Sequence, residues 1–280
     1  MPRTIHVAHS PDSDDAFMFY ALAEGKIDTG DLRYAHELAD IESLNRRARR
    51  AELEVSAVSI HAYAHIADRY ALLASGSSMG DGYGPRLVAT TSPPAGLPGS
   101  LAGLRIGIPG TLTTAYLALK LFQPDFEEVV LGFDEIEDAV ADGRVDVGLV
   151  IHEGQLTYAE RGFHLWGDLG AWWMDETGLP LPLGGNVVRR DLGPETIGQI
   201  ARDLKASIEY GLAHRVPALS HAKQYNRGIS DSQTDAFVGM YVNDWTVDYG
   251  ERGREAVRLL LNRAWEAGLI PDRVEVEFVG

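Results

Sequence analysis

The spacing of apolar positions changes period several times along the chain, and each change marks a predicted element. Ile5, Val7 and Ala8 read as a first strand that ends at the polar loop His9-Ser10-Pro11-Asp12-Ser13-Asp14-Asp15. A helix carrying Phe17, Phe19, Tyr20 and Leu22 follows, with Asp14 or Asp15 as its cap. A second strand is expected over 32–38, then a helix from Asp40 with Ile41, Leu44 and Ala48 on one face. Beyond Pro194 helical spacing dominates, over 197–212, 231–242 and 252–267, with a short strand expected at 274–278. Strands alternating with helices through the first two-thirds predict an α/β architecture.

One pattern occurs twice. Ala51-Glu52-Leu53-Glu54-Val55-Ser56-Ala57-Val58-Ser59-Ile60-His61 parallels Asp142-Gly143-Arg144-Val145-Asp146-Val147-Gly148-Leu149-Val150-Ile151-His152. Both read as helix end, turn and apolar strand, and both finish in Ile-His. The separation is too long for a solenoid and suits two similar lobes, each presenting a strand end to a shared cleft. Thr91-Ser92-Pro93-Pro94-Ala95-Gly96-Leu97-Pro98-Gly99-Ser100 has the composition of a boundary, and a second crossing is expected within 178–188. The expected division is a large α/β lobe of 1–91 and 183–280, including the C-terminal helices, around a small inserted α/β lobe of 92–182.

Composition narrows the function classes. The 280 residues, 45 % hydrophobic, suffice for one large or two ordinary domains. No cysteine is present, which excludes disulfides, thiolate nucleophiles and cysteine-ligated metals. A formal charge of −16 argues against a nucleic-acid partner. No apolar run is long enough for a membrane span, and the N-terminus lacks the pattern of a secretory signal, so a cytoplasmic location is expected.

Several loops carry candidate chemistry. Beyond the strand at 147–151, His152 can move protons near neutral pH, although a lone strand-end histidine also serves as an ordinary loop residue. Ligands of open α/β sheets bind beyond the carboxyl ends of strands. Ser10 and its acidic neighbours open a helix and suit either capping or polar-ligand binding. Gly110-Thr111-Leu112-Thr113-Thr114-Ala115 repeats that geometry, so Thr113, Thr114 and Ala115 are candidates for holding a carboxylate, with capping the competing role. Ser59 and Tyr63 fall at the equivalent strand end. The loop Ser75–Arg86 either passes Gly82 close to a ligand, with Arg86 as carboxylate partner, or is a surface loop. Trp172 and Trp173 suit aromatic stacking or core packing. His61 and His65 lack the further ligands of a zinc site, and no nucleotide fingerprint or metal signature occurs. A cofactor-independent reaction with a histidine base is the simplest enzymatic reading.

Together, Ser10–Phe19, Val58–Tyr63, Gly80–Pro85, Ile151–Tyr158 and Thr177–Gly184 resemble the 1,4-dihydroxy-6-naphthoate synthase family of the futalosine route to menaquinone. The resemblance covers nearly the whole chain. It implies a two-lobe, type II periplasmic-binding-protein-like fold working inside the cell without metal or organic cofactor. It implies cleavage of cyclic dehypoxanthine futalosine, with His152 as base and with Ser59, Thr114 and Ala115 holding the polar part of the ligand. Ser10, Thr113, Gly82 and Arg86 are further substrate-binding candidates. A small-molecule substrate and a monomer or homodimer, without nucleic acid or membrane, complete the expectation. A non-catalytic carrier of a small anion and a chorismate dehydratase are the alternatives.

Overall fold

The computed structural model describes residues 2–225 and 229–280. Strand β1 (Arg3–His9) leads to helix α1 (Ser13–Ala23), β2 (Leu32–Leu38), α2 (Ile41–Ala48), β3 (Val55–Ser59), the single turn α3 (Ile60–Tyr63), β4 (Tyr70–Leu73) and β5 (Ser78–Gly80). Next come β6 (Arg86–Ala89), β7 (Arg105–Ile108), α4 (Thr114–Phe122), β8 (Glu127–Val130), α5 (Ile136–Ala141), β9 (Val147–Val150), α6 (Gly154–Thr157), β10 (His164–Asp168) and α7 (Leu169–Thr177). The chain returns through β11 (Leu181–Arg189) to α8 (Pro194–Ala213), α9 (Arg215–Ala222), α10 (Asp231–Tyr241), α11 (Asp244–Val247) and α12 (Gly250–Glu266), and closes on β12 (Phe278–Val279).

Two sheets result. The seven-stranded sheet runs β12-β4-β11-β3-β1-β2, with β5 on β11, and the five-stranded sheet runs β10-β6-β9-β7-β8. Their pairing patterns correspond. β1 lies parallel to β2 and β3, while β11 runs antiparallel beside β3. In the same way β7 lies parallel to β8 and β9, while β6 runs antiparallel beside β9. The repeated sequence pattern thus builds β3 and β9, equivalent strands of two like-wound sheets. Each sheet reverses its winding between β1 and β3, or between β7 and β9, the place where open α/β sheets bind ligands.

The first crossing lies earlier than the boundary expected at 91/92. β5 belongs to the larger sheet and β6 to the smaller, so the chain passes between them within 81–85. The Pro-Gly segment of 91–100 is a connection leading on to β7, because β6 is held between β9 and β10. The return falls between β10 and β11. The terminal strand is also shorter than 274–278: only Phe278 and Val279 ladder with Leu72 and Leu73, while Val274 and Val276 pack against the core.

Burial explains the layering. α1 is apolar almost all round, with Phe17 and Phe19 buried, because it lies between the larger sheet and α8 and α9. Asp14 and Asp15 in its first turn favour the positive end of the helix dipole. A second apolar cluster runs from Val58 and Leu72 in the larger sheet to Ile106, Leu149 and Trp173 in the other half. The two halves therefore share a core beside the cleft.

Candidate active site

A cavity of about 130 Å³ lies between the halves. Its lining follows the carboxyl ends of equivalent strands: Ser10 after β1, Ser59 at the end of β3, Thr113, Thr114 and Ala115 after β7, and Ile151 and Gln155 after β9. Five of the expected substrate-binding residues, Ser10, Ser59, Thr113, Thr114 and Ala115, thus come together.

The threonine hydroxyls are already engaged. Thr113 Oγ1 accepts the Tyr116 N–H (3.2 Å) and donates to the Gly110 carbonyl (3.0 Å). Thr114 Oγ1 accepts the His61 N–H (3.2 Å) and donates to the Leu183 carbonyl (2.6 Å). What remains for a ligand is backbone: among the described residues the N–H groups of Thr114 and Ala115 have no acceptor. At the start of a nine-residue helix these are anion-binding groups that need no formal charge.

Ser59 is held by a side chain that sequence reasoning missed. Buried Asn45 accepts the Ser59 N–H at 2.9 Å through Oδ1, and its Nδ2 donates to Ser59 Oγ at 3.1 Å. Because that hydroxyl oxygen already accepts from Asn45, its own proton is directed away from Asn45. Asn45 Nδ2 also reaches the Leu112 carbonyl (3.4 Å), and Glu42 Oε2 accepts the Leu112 N–H (3.2 Å), joining the two halves. Gly110 makes the second contact possible. At φ +145° it carries no Cβ, and one there would stand 2.4 Å from Glu42 Oε2.

The cavity wall is acidic. Asp14 and Asp15 both line it. Burial pushes Asp15 up to about 6 even though its Oδ2 accepts the Ser10 N–H at 2.7 Å. Asp14 is raised well above the usual carboxylate range, first by burial and then by Asp15, Asp12 and Glu153. From sequence this acidic segment suited either capping or polar-ligand binding, and Ser10, Asp12, Asp14 and Asp15 all line the cavity.

His152 is adjacent to this wall but turned away from it. Ile151 and Gln155 face the cavity, whereas the His152 ring packs edge-on against Phe133 with centroids 5.3 Å apart. Its Nδ1 accepts the Gly154 N–H at 3.1 Å, which leaves Nε2 as the donor to the Phe133 carbonyl at 3.0 Å. Gly82 and Arg86, expected to bind substrate, also lie off the cavity. Gly82 is exposed, at a turn with φ +79°. Arg86 bonds the Gln155 carbonyl, pairs with Asp168 at 3.3 Å and lies over the Tyr158 ring, so it braces a cavity residue from behind. Tyr63 and Trp173 are fully buried in the core, and Trp172 packs on Phe122. His61 contacts the Thr113 carbonyl through Nδ1 (3.3 Å), and its ring lies 5.5 Å from His65. Among the described residues no group of three or more His, Cys, Asp or Glu side chains is arranged to hold a metal ion. Nor is any helix long and apolar enough to cross a membrane.

A family model described as menaquinone biosynthesis matches residues 5–266. The chain belongs to this family. Relatives in the menaquinone-biosynthesis family include the 1,4-dihydroxy-6-naphthoate synthase of Thermus thermophilus, 40 % identical over 95 % of this chain and 96 % of that one. The synthase of Streptomyces coelicolor is 38 % identical over 96 % and 95 %. The chain is accordingly an enzyme of menaquinone biosynthesis, of the 1,4-dihydroxy-6-naphthoate synthase type. A crystal structure from Archaeoglobus fulgidus, 47 % identical, matches with a TM-score of 0.91 over 95 % of this chain and 98 % of that one. The alkanesulfonate-binding protein of Xanthomonas axonopodis pv. citri, 14 % identical, gives 0.70 over 98 % and 96 %, which shows the periplasmic-binding-protein-like fold alone.

Proposed function

We propose that the cavity binds cyclic dehypoxanthine futalosine and that the enzyme cleaves it by a carbon–carbon lyase reaction with His152 as general base. The observation that carries this reading is the cavity between like-wound sheets, lined by Thr114 and Ala115 with their free amides and by Ser59 with its oriented hydroxyl. Those groups suit the carboxylate and hydroxyls of such a substrate. His152 removes a proton from the ribose-derived part, and the carbon–carbon bond breaks as the new ring gains aromaticity. Aromatisation supplies driving force, so the protein's part is positioning, proton transfer and exclusion of water.

Two movements follow from the geometry. The cavity lies between the halves, so parting of the halves widens the way in for substrate. Crossings within 81–85 and between β10 and β11 make them two hinged lobes. The His152 ring must also turn toward the cavity, giving up its bonds to the Gly154 N–H and the Phe133 carbonyl, each worth about 1 kcal/mol. The reading places the enzyme in the cytoplasm.

The test is turnover of the cyclic compound to naphthoate, followed by chromatography, in wild type, His152→Ala and Asp14→Asn. General-base help is worth about 10² to 10⁴ in rate. His152→Ala is expected to lose that factor in kcat while binding product within a few-fold of wild type. Near-normal turnover by His152→Ala, with loss in Asp14→Asn, would transfer the role of base to Asp14. Tight binding by wild type without product over hours would leave a carrier.

A further inference from the structure

Two buried amides present unpaired polar atoms at the cavity, one from each half of the molecule. Gln155 lies in α6 and is fully buried; its Oε1 accepts the Tyr241 hydroxyl at 2.8 Å, and its Nε2 has no partner. Asn186 lies in β11 and is 1 % exposed; its Nδ2 donates to the Gly76 carbonyl at 3.0 Å, and its Oδ1 has no partner. Both residues line the cavity.

Neither amide is loosely placed. The Gly76 carbonyl requires a donor, which fixes the Asn186 nitrogen there and leaves the oxygen free. Gly76 itself, at φ +86°, admits this contact because a Cβ would stand 2.4 Å from Asn186 Nδ2. The Gln155 backbone is held by Arg86 at its carbonyl and by a bond from its N–H to the His152 carbonyl at 2.8 Å. Buried polar atoms are almost always paired, and the exceptions call for a partner that arrives later. A donor on one side and an acceptor on the other define the chemistry of that partner.

We propose that Gln155 and Asn186 are specificity-determining residues: Gln155 Nε2 donates to a carbonyl or carboxylate oxygen of the substrate, and Asn186 Oδ1 accepts from a substrate hydroxyl. A ligand bearing both groups satisfies both lobes at once, so closure is complete only on such a ligand. Sites built around a buried hydrogen bond reject ligands that lack the matching group. The inference takes from the proposed function only that the substrate occupies this cavity.

Titration calorimetry with two probes tests it: 1,4-dihydroxy-6-naphthoate, and naphthalene-2-carboxylate, which lacks the hydroxyls. The proteins are wild type, Asn186→Leu, and the double variant Gln155→Met/Tyr241→Phe. The double variant removes both partners of the Gln155–Tyr241 bond, so no buried hydroxyl is left alone and folding is preserved. It is expected to bind the dihydroxy compound about tenfold or more weakly, with a melting temperature close to wild type. Asn186→Leu is expected to lose about tenfold on the dihydroxy compound and little on naphthalene-2-carboxylate. Any general damage to the fold weakens both probes alike and cancels in that comparison. Wild-type affinity in the folded double variant, or equal losses on both probes in Asn186→Leu, overturns the assignment. If wild type turns over substrate while the variants bind normally, the functional reading survives and this inference falls. If wild type binds neither probe and forms no naphthoate, both fall.

Discussion

Asp15→Asn should make the ligand-free enzyme more stable, by an amount that grows with pH. The Asp15 carboxyl titrates at about 6 in the fold against 3.8 when free, a difference of about two pH units caused chiefly by burial. At about 1.4 kcal/mol per unit, this is about 3 kcal/mol. Its sign follows from linkage. The folded-state value is raised, so the contribution of Asp15 to stability is fully present below about pH 4 and is lost as pH rises through about 6. Asparagine keeps an oxygen for the Ser10 N–H and does not titrate. Removing Asp15 also relieves Asp14, whose own rise is partly due to it, which pushes in the same direction. The assay is urea unfolding of both proteins at half-unit steps from pH 4 to 8. The stability of Asp15→Asn minus that of wild type should climb by about 2 kcal/mol between pH 4 and 7 and then level off. A difference that is flat with pH, or that falls, refutes a buried carboxyl held toward its protonated form.

Other substitutions test the contacts that join the lobes and orient the site. Asn45→Leu strands the buried Ser59 N–H, which costs about 1–3 kcal/mol. It should lower the melting temperature in scanning fluorimetry and raise KM, because the Ser59 hydroxyl loses its fixed orientation. Gly110→Ala puts a methyl group 2.4 Å from Glu42 Oε2 at φ +145°, displacing that carboxylate from the Leu112 N–H. Backbone strain of about 1–3 kcal/mol should accompany a larger radius of gyration for the ligand-free protein in X-ray scattering. Arg86→Lys, with one ammonium replacing a guanidinium that meets both Asp168 and the Gln155 carbonyl, should weaken product binding several-fold without changing the pH dependence of turnover.

The fold was legible where periodicity and repetition agreed. The segments at 51–61 and 142–152 predicted equivalent strands, and β3 and β9 occupy equivalent places in the two sheets. The strand-end position Ser59 followed from that, because ligands gather beyond such ends, while Thr113–Ala115 were legible from the turn and helix start after β7. Side-chain direction did not follow. Past the last ladder residue of β9 the chain leaves strand geometry, so Ile151 faces the cavity and His152 turns to Phe133, a choice made by tertiary packing. Gly82 and Arg86 were misplaced for a related reason: composition marks a loop but not the surface it covers. Asn186 did carry a signal, as a polar residue inside the apolar run of β11, where burial demands a hydrogen bond. Tyr241 carried none, since its role depends on α10 packing beside α6 from 86 residues away.

The acidity of the chain and the polarity of its ligand then fit together. A formal charge of −16 and two carboxyl groups on the cavity wall are poor surroundings for an anion. The Arg86 guanidinium, behind Gln155, is committed to Asp168 and the Gln155 carbonyl. Recognition therefore falls to uncharged donors: the Thr114 and Ala115 amides, the Ser59 hydroxyl and Gln155 Nε2. Burial helps most at Asp14, pushed well toward its protonated form, in which the carboxyl stops repelling an anion and gains a proton to donate. Neutral donors on buried residues act at low dielectric, where each hydrogen bond to an anion is stronger than it is in water. A positively charged side chain would add attraction but would also hold the product. The site exchanges that attraction for orientation, which suits an enzyme that must release a naphthoate after each turnover.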